Sequence, residues 1–168
     1  MLLDVGCTHV IIGHSERRQY FGETDDIVNF KLKTALEAGL TPVVCVGEVL
    51  EEREANLTED VLRRQCLRAF YALSSKKAAK LVVAYEPVWA IGTGKTATAQ
   101  LASDAHSLIR GEAAKAFGQE FANQLRILYG GSVKPENVKA LMAEPEIDGA
   151  LVGGASLDPK SFAAIVRY

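Results

Sequence analysis

The sequence predicts an α/β fold with a parallel β-sheet, and two observations lead to it. Short β-branched apolar runs alternate with helical segments, and one strand–helix unit recurs about every 25 to 45 residues. The apolar runs lack the alternating polar residues of a sheet with one face in water, so both faces of the sheet should be buried. No linker divides the 168 residues, and we expect one domain over residues 1–168.

Five strands are expected from the apolar runs. They cover residues 9–12, 42–46, 81–84, 125–129 and 150–152. Between them, capping residues indicate where helices begin, and Gly39 is placed to end the first long helix. Residues 1–6 resemble the tail of a helix. The expected helix starts are Thr24, Thr58, Thr98, Pro135 and Asp158.

Composition excludes several classes of function. A formal charge of −2 gives no electrostatic basis for binding nucleic acid or an anionic membrane. No apolar run approaches the roughly 20 residues that span a bilayer, and Asp4 interrupts the start too early for a signal peptide. Cys7, Cys45 and Cys66 are far apart and odd in number. They favour a reduced, cytoplasmic chain over a disulfide scaffold or a metal site.

Polar or glycine residues follow each predicted strand. The carboxyl ends of parallel strands share one edge of a sheet, where α/β folds bind ligands, so these residues should converge. The motifs are Gly13-His14-Ser15-Glu16-Arg17-Arg18, Gly47-Glu48, Glu86-Pro87, Tyr129-Gly130-Gly131-Ser132 and Val152-Gly153-Gly154-Ala155-Ser156.

Glu86 is the first candidate for chemistry. It stands at the end of a buried strand, Pro87 fixes the next backbone position, and an apolar, glycine-containing loop runs to Lys95. A carboxylate on a rigid strand end, under a loop able to cover it, suits a general base kept from water. The alternatives are a strand-end carboxylate in a salt bridge and, for Trp89, a simple core anchor.

His14 is the second candidate. Ser15 is placed to cap a helical turn, whose positive end would disfavour an imidazolium. A neutral imidazole could then donate a hydrogen bond to a carbonyl oxygen. A lone histidine is more often structural and bonded to the backbone, but the expected presence of Glu86 at the same edge favours a site.

Two glycine pairs follow the last two strands, Gly130-Gly131 before Ser132 and Gly153-Gly154. Without side chains, backbone N–H groups approach an anion closely, and the second pair precedes a predicted helical turn. One pair usually marks only a turn. Two pairs after the last two strands match a phosphate site of βα barrels.

Together these motifs resemble the triosephosphate isomerase family along the whole chain. The resemblance rests on the histidine, glutamate and two glycine-pair motifs above, in family order, and on the longer run from Ala84 to Lys95. It implies a partial TIM (β/α)8 barrel, in which this chain supplies parallel strands 4 to 8 with their helices. A full barrel takes about 250 residues, so the first three modules would be absent.

The resemblance also implies residue roles, which are the family's known pattern and not a product of spacing. Dihydroxyacetone phosphate and glyceraldehyde 3-phosphate would interconvert in glycolysis and gluconeogenesis, with no cofactor and no metal. Glu86 would be the base, His14 would stabilise the enediolate, and Glu16 would place polar groups beside them. Residues that support the site or bind phosphate would be Ser15, Gly92, Ser132, Gly153 and Gly154.

Three expectations concern the implied missing part. The family's first-strand asparagine and catalytic lysine would be absent, as would the main loop of its homodimer. Two unpaired sheet edges predict self-association of these residues alone. The alternatives therefore stay open: an inactive fragment that needs its N-terminal part, or another βα-barrel binder of sugar phosphates.

Overall fold

The structure is a computed structural model that describes residues 1–91 and 96–168. Its five strands form one all-parallel sheet in the order of the chain, as predicted. Register is regular, with Ile11 opposite Val43 and Val44 opposite Val83. The fold is consistent with part of a TIM barrel. The strands are β1 (His9–Ile12), β2 (Thr41–Val46), β3 (Val82–Tyr85), β4 (Arg126–Tyr129) and β5 (Gly149–Ala150).

Helices connect the strands. Among the helices of the described ranges, none combines the length and apolar composition needed to cross a membrane. Short 3-10 turns cover Leu3–Val5, Val88–Ala90 and Gly154–Leu157. The α-helices are α1 (Ser15–Phe21), α2 (Asp25–Glu37), α3 (Leu50–Glu54), α4 (Thr58–Phe70), α5 (Ser75–Ala78), α6 (Ala99–Phe117), α7 (Gln119–Gln124), α8 (Val138–Met142) and α9 (Pro159–Val166).

Three of the five predicted helix starts carry a side-chain cap. The side chains of Thr24, Thr98 and Asp158 accept hydrogen bonds from backbone N–H groups in the first turns of α2, α6 and α9. Thr58 is the first residue of α4 instead of its cap. The helix predicted from Pro135 begins three residues later, after a turn.

Apolar residues of the sheet alternate between two clusters, as the period of two requires. The larger cluster lies between the sheet and helices α2, α4 and α6, and it includes Leu32, Val44, Leu62, Val83, Ile109 and Ile127. The smaller cluster, on the opposite face, consists of Val43, Cys45, Val82 and Ala84.

Candidate active site

Glu86 immediately follows β3, and its backbone N–H donates to the carbonyl of Val46 at 2.8 Å. This bond continues the β2–β3 pairing by one residue and fixes the point from which the side chain projects. The carboxyl group is almost completely buried, with the residue 2% exposed. A rigid backbone therefore presents a carboxylate that has lost nearly all of its contact with water.

His14 meets that carboxylate from the end of β1. It occupies the N-cap of α1, and its Nδ1 accepts a hydrogen bond from the backbone N–H of Glu16 at 3.4 Å. With Nδ1 as an acceptor, the neutral tautomer of the ring carries its proton on Nε2. Nε2 lies 3.0 Å from Glu86 Oε1.

The two carboxylate oxygens of Glu86 have different surroundings. Oε2 accepts a hydrogen bond from the backbone N–H of Ser15 at 3.0 Å. Oε1 is close to His14, but the approach lacks hydrogen-bond alignment, and Oε1 has no aligned donor among the described residues. One oxygen is thus anchored, and the other retains its capacity to accept a proton.

Burial raises the pKa of the Glu86 carboxyl above its usual value. His14, the Ser15 N–H, the Cys45 thiol and Arg18 each favour the carboxylate and offset part of that shift. The Cys45 thiol is in turn buried, and burial together with the nearby Glu86 charge raises its pKa. A carboxyl with a raised pKa is a stronger base than one in water.

Ser15 does not cap the turn as predicted. Ser15 begins α1, and its contact with Glu86 runs through the main chain, because His14 holds the capping position. The Glu16 side chain is exposed, while its backbone N–H bonds His14. Both residues act on the site through backbone N–H groups at the start of one helix, which residue type alone does not reveal.

The first glycine pair packs directly against Glu86. Gly130 donates its N–H to the carbonyl of Tyr85 at 2.7 Å, and a Cβ there would lie 3.0 Å from Glu86 Cγ. Ser132 follows, and its carbonyl accepts a bond of 2.9 Å from the Asn137 amide. Asn137 also accepts from the N–H of Lys134. Sequence reasoning missed these two hydrogen bonds of Asn137, because they cross the loop before α8.

The second glycine pair lies at the same edge, one strand further on. Leu151 donates its N–H to the carbonyl of Tyr129 and so extends the β4–β5 pairing toward the pair. Gly153 and Gly154 are exposed at the start of the last 3-10 turn, where Ser156 bonds the Gly153 carbonyl. Gly92, the remaining predicted phosphate contact, lies outside the described residues.

Glu48 is a further buried carboxylate at this edge, as its motif predicts, although sequence reasoning assigned it no role. It is fully buried and accepts hydrogen bonds from Tyr85 Oη, Trp89 Nε1 at 2.9 Å and Arg53 Nη1 at 3.2 Å. The Arg53 guanidinium also stacks on the Trp89 ring. This network anchors the segment that follows Glu86. Its members come from separate elements, so no local pattern indicates it.

Within residues 1–91 and 96–168, no group of three His, Cys, Asp or Glu side chains is arranged to hold a metal ion. The chemistry that the described site offers is that of a buried carboxylate beside an imidazole. Those two groups can move a proton and donate a hydrogen bond to an oxygen that gains charge.

Comparison with known proteins gives one consistent result. A family model for triosephosphate isomerase matches residues 1–168. Three relatives named triosephosphate isomerase match the whole chain. The one from Solibacter usitatus is 60% identical, and the chain covers 68% of its length. The relatives from Geobacter metallireducens and Moorella thermoacetica are each 61% identical, and the chain covers 67% of the length of each. The chain spans about two thirds of the length of these relatives.

Proposed function

The chain belongs to the triosephosphate isomerase family, and from that premise we propose that Glu86 and His14 carry out the family's reaction. The reaction interconverts dihydroxyacetone phosphate and D-glyceraldehyde 3-phosphate, an intramolecular oxidation and reduction that passes through an enediolate. It needs a base for a carbon-bound proton and a donor for the oxygen that becomes negative. The single observation that carries the proposal is the contact between these two side chains at the carboxyl ends of β1 and β3.

Glu86 is proposed as the base. Burial raises its pKa, and Oε1 lacks an aligned donor among the described residues. The proton that it removes from one carbon can return to the neighbouring carbon, because a buried carboxylic acid exchanges slowly with water. Ser15, by donating its N–H to Oε2, holds the carboxylate in one orientation.

His14 is proposed as the hydrogen-bond donor to the substrate oxygens. The N–H of Glu16 on Nδ1 keeps the proton on Nε2, where it stabilises an enediolate without being transferred first. This is the contribution that we assign to Glu16. His14 Nε2 and Glu86 Oε1 lie 3.0 Å apart. A triose that contacts both groups therefore has to bind between them and increase this distance.

The phosphate group of the substrate is proposed to bind at the two glycine pairs. Ser132, Gly153 and Gly154 offer a hydroxyl and backbone N–H groups at the ends of β4 and β5, as anion sites in βα barrels do. We propose Gly92 as a further contact by family resemblance. Enclosing the phosphate would protect the enediolate from eliminating it.

Three wider properties are also proposals. Residues 1–168 form one domain, which is supported by a single large buried cluster that runs from Ile12 to Ile165. The protein works in the cytoplasm, in keeping with its free cysteines. The family resemblance implies a homodimer of the whole protein, whose main dimer loop is not among these residues.

A coupled isomerase assay on Glu86→Gln tests the proposal. The amide keeps the shape of the side chain but cannot accept the substrate proton, so we expect kcat to fall at least 100-fold. Glu54→Gln removes an exposed carboxylate at the end of α3 and should leave kcat unchanged. Activity retained in Glu86→Gln would remove Glu86 from the role of base. Binding of a triose phosphate without isomerisation by the unsubstituted chain would favour a non-catalytic binder.

A further inference from the structure

We infer that Gln65, on helix α4, is a positioning residue for Glu86 and acts through the backbone of Gly47. The inference rests on the proposed role of Glu86 as the base. Among the described residues, the Gln65 side chain bonds Gly47 and forms no hydrogen bond with His14 or Glu86. Its effect on the reaction would be to fix the point from which the base projects.

The amide of Gln65 holds both backbone groups of one residue. Its Oε1 accepts from the N–H of Gly47 at 2.7 Å, and its Nε2 donates to the carbonyl of Gly47 at 3.1 Å. Gln65 is 6% exposed, so water competes little for these bonds. Two bonds to a single residue restrain its orientation as well as its position. Gly47 directly follows β2, where the regular pairing of the strand has ended.

Gly47 in turn rests on the peptide of Glu86. A Cβ at position 47 would lie 1.7 Å from the carbonyl oxygen of Glu86 and 2.6 Å from its carbonyl carbon. Only glycine fits at that separation. The backbones on either side are tied as well, since Glu86 N–H donates to Val46 and Val88 N–H donates to Glu48. A displacement of the Gly47 backbone should therefore displace the Glu86 backbone by a similar distance.

The site is sensitive to such a displacement. Glu86 meets two fixed partners, the Ser15 N–H and His14 Nε2, each at 3.0 Å. Both partners stand at the start of α1, so they do not follow Glu86 when it moves. A misplacement of about 1 Å can cost up to about 100-fold in rate, even when its origin lies away from the reacting atoms. Gln65 thus links α4 to the geometry of proton transfer.

Two substitutions of Gln65 test the link. Gln65→Met keeps the length of the side chain and removes both bonds, while Gln65→Glu keeps an acceptor for the Gly47 N–H but sets a carboxylate against its carbonyl. For each we expect kcat to fall about tenfold with KM changed less than about twofold. We also expect the pKa of the Glu86 carboxyl, measured by carbon-13 NMR titration, to differ from that of the unsubstituted chain.

Asn29→Leu is the matched control. Asn29 is also a buried helical amide, and it donates to the carbonyls of Ala69 and Tyr71, remote from Glu86. We expect both Asn29→Leu and Gln65→Met to lower the melting temperature, because each removes two buried hydrogen bonds. Asn29→Leu should leave kcat and the pKa of the Glu86 carboxyl unchanged. Unchanged kcat and Glu86 pKa in both Gln65 variants would overturn the inference, as would an equal loss of kcat in the control. Glu86→Gln, assayed in parallel, separates this failure from failure of the proposed base.

Discussion

At the scale of single residues, the ionised form of Glu86 costs the protein stability. Burial raises the pKa of this carboxyl in the folded state, so the folded chain holds the proton more tightly than the unfolded chain does. The free energy of unfolding then decreases as the pH rises through that raised pKa. A base buried for catalysis is therefore least favourable to the fold at the pH where it is ionised.

Glu86→Gln should accordingly stabilise the fold at neutral pH while it abolishes activity. We expect its advantage in the free energy of unfolding to grow from acid to neutral pH, because the amide never ionises. Urea titrations of both proteins between pH 4 and pH 8 measure this difference. A difference that shrinks as the pH rises would contradict the stated cause.

His106 shows the opposite dependence. It is fully buried between Tyr85, whose ring it meets edge-on, and the carbonyl of Glu146, and burial lowers its pKa to about 4. The unfolded chain binds this proton near pH 6.5, so stability should be lost as the pH falls from about 6.5 to about 4. The gap between the two pKa values corresponds to about 3 kcal/mol.

His106→Gln tests that dependence. The amide keeps a polar side chain near the Glu146 carbonyl and does not titrate. We expect the variant to be less stable than the parent at pH 7 and to lose less stability on acidification, as measured by urea unfolding at both pH values. Parallel curves for the two proteins would show that His106 does not titrate in this range.

At the scale of elements, the sequence predicts what short-range physics controls. β1 has the predicted bounds, and Thr24, Thr98 and Asp158 cap helices because their side chains need only a neighbouring turn. Thr58 fails as a cap because the chain enters α4 through Leu57. Helices α3, α5 and α7 are too short for a periodic apolar pattern to reveal them.

The candidate site divides in the same way. Glu86 and His14 could be predicted, because each stands within two residues of the end of an apolar run and parallel strands bring such ends together. The Gly47-Glu48 motif was expected at the same edge, but the hydrogen bonds of Glu48 and of Gln65 were not, since their partners lie on other elements and no local spacing records them. The roles of Ser15 and Glu16 run through backbone N–H groups, which every residue except proline possesses.

Arg110 fixes the position of α6 against the strands. Its guanidinium donates to the carbonyls of Ala122 and Leu125 at 2.8 Å and forms ion pairs with Glu146 and Asp148. Asp148 also accepts from the N–H of Ile127, in β4, at 2.8 Å. One cation thus satisfies acceptors from two segments, residues 122–125 and 146–148, and its removal takes a donor from each of them.

Arg110→Met should lower the free energy of unfolding by about 2–4 kcal/mol, since partly buried carboxylates and carbonyls lose their partner. The affected groups lie toward the amino ends of β4 and β5, away from Glu86, so kcat per folded molecule should not change. Arg110→Lys keeps the charge but not the fork of donors, and we expect an intermediate loss. Urea unfolding and the coupled assay together measure this, and a lower kcat at full folding would contradict it.

At the scale of the whole molecule, the two ends of the sheet differ. β5 has only two residues, and so short an edge strand offers little backbone for pairing. β1 has four, and among the described residues it pairs on one side only, with β2. Beside it a cavity of about 490 Å³ is lined by apolar residues that include Leu2, Leu3 and Phe30, together with charged residues such as Arg17 and Lys31. Ile11, at the centre of β1, is 48% exposed.

Residues 1–168 prepared alone should therefore self-associate through the β1 edge, because an exposed apolar strand recruits another chain. Ile11→Lys places a charge on that strand and should shift the population toward monomer in sedimentation-velocity runs over a range of concentrations. Leu67→Lys, at a comparably exposed residue of α4, introduces the same charge where the backbone is already paired, and it should leave association unchanged. Equal effects of the two lysines would show that net charge, and not the strand edge, controls association. A monomer at all concentrations, with cooperative unfolding, would show that the β1 edge does not drive self-association.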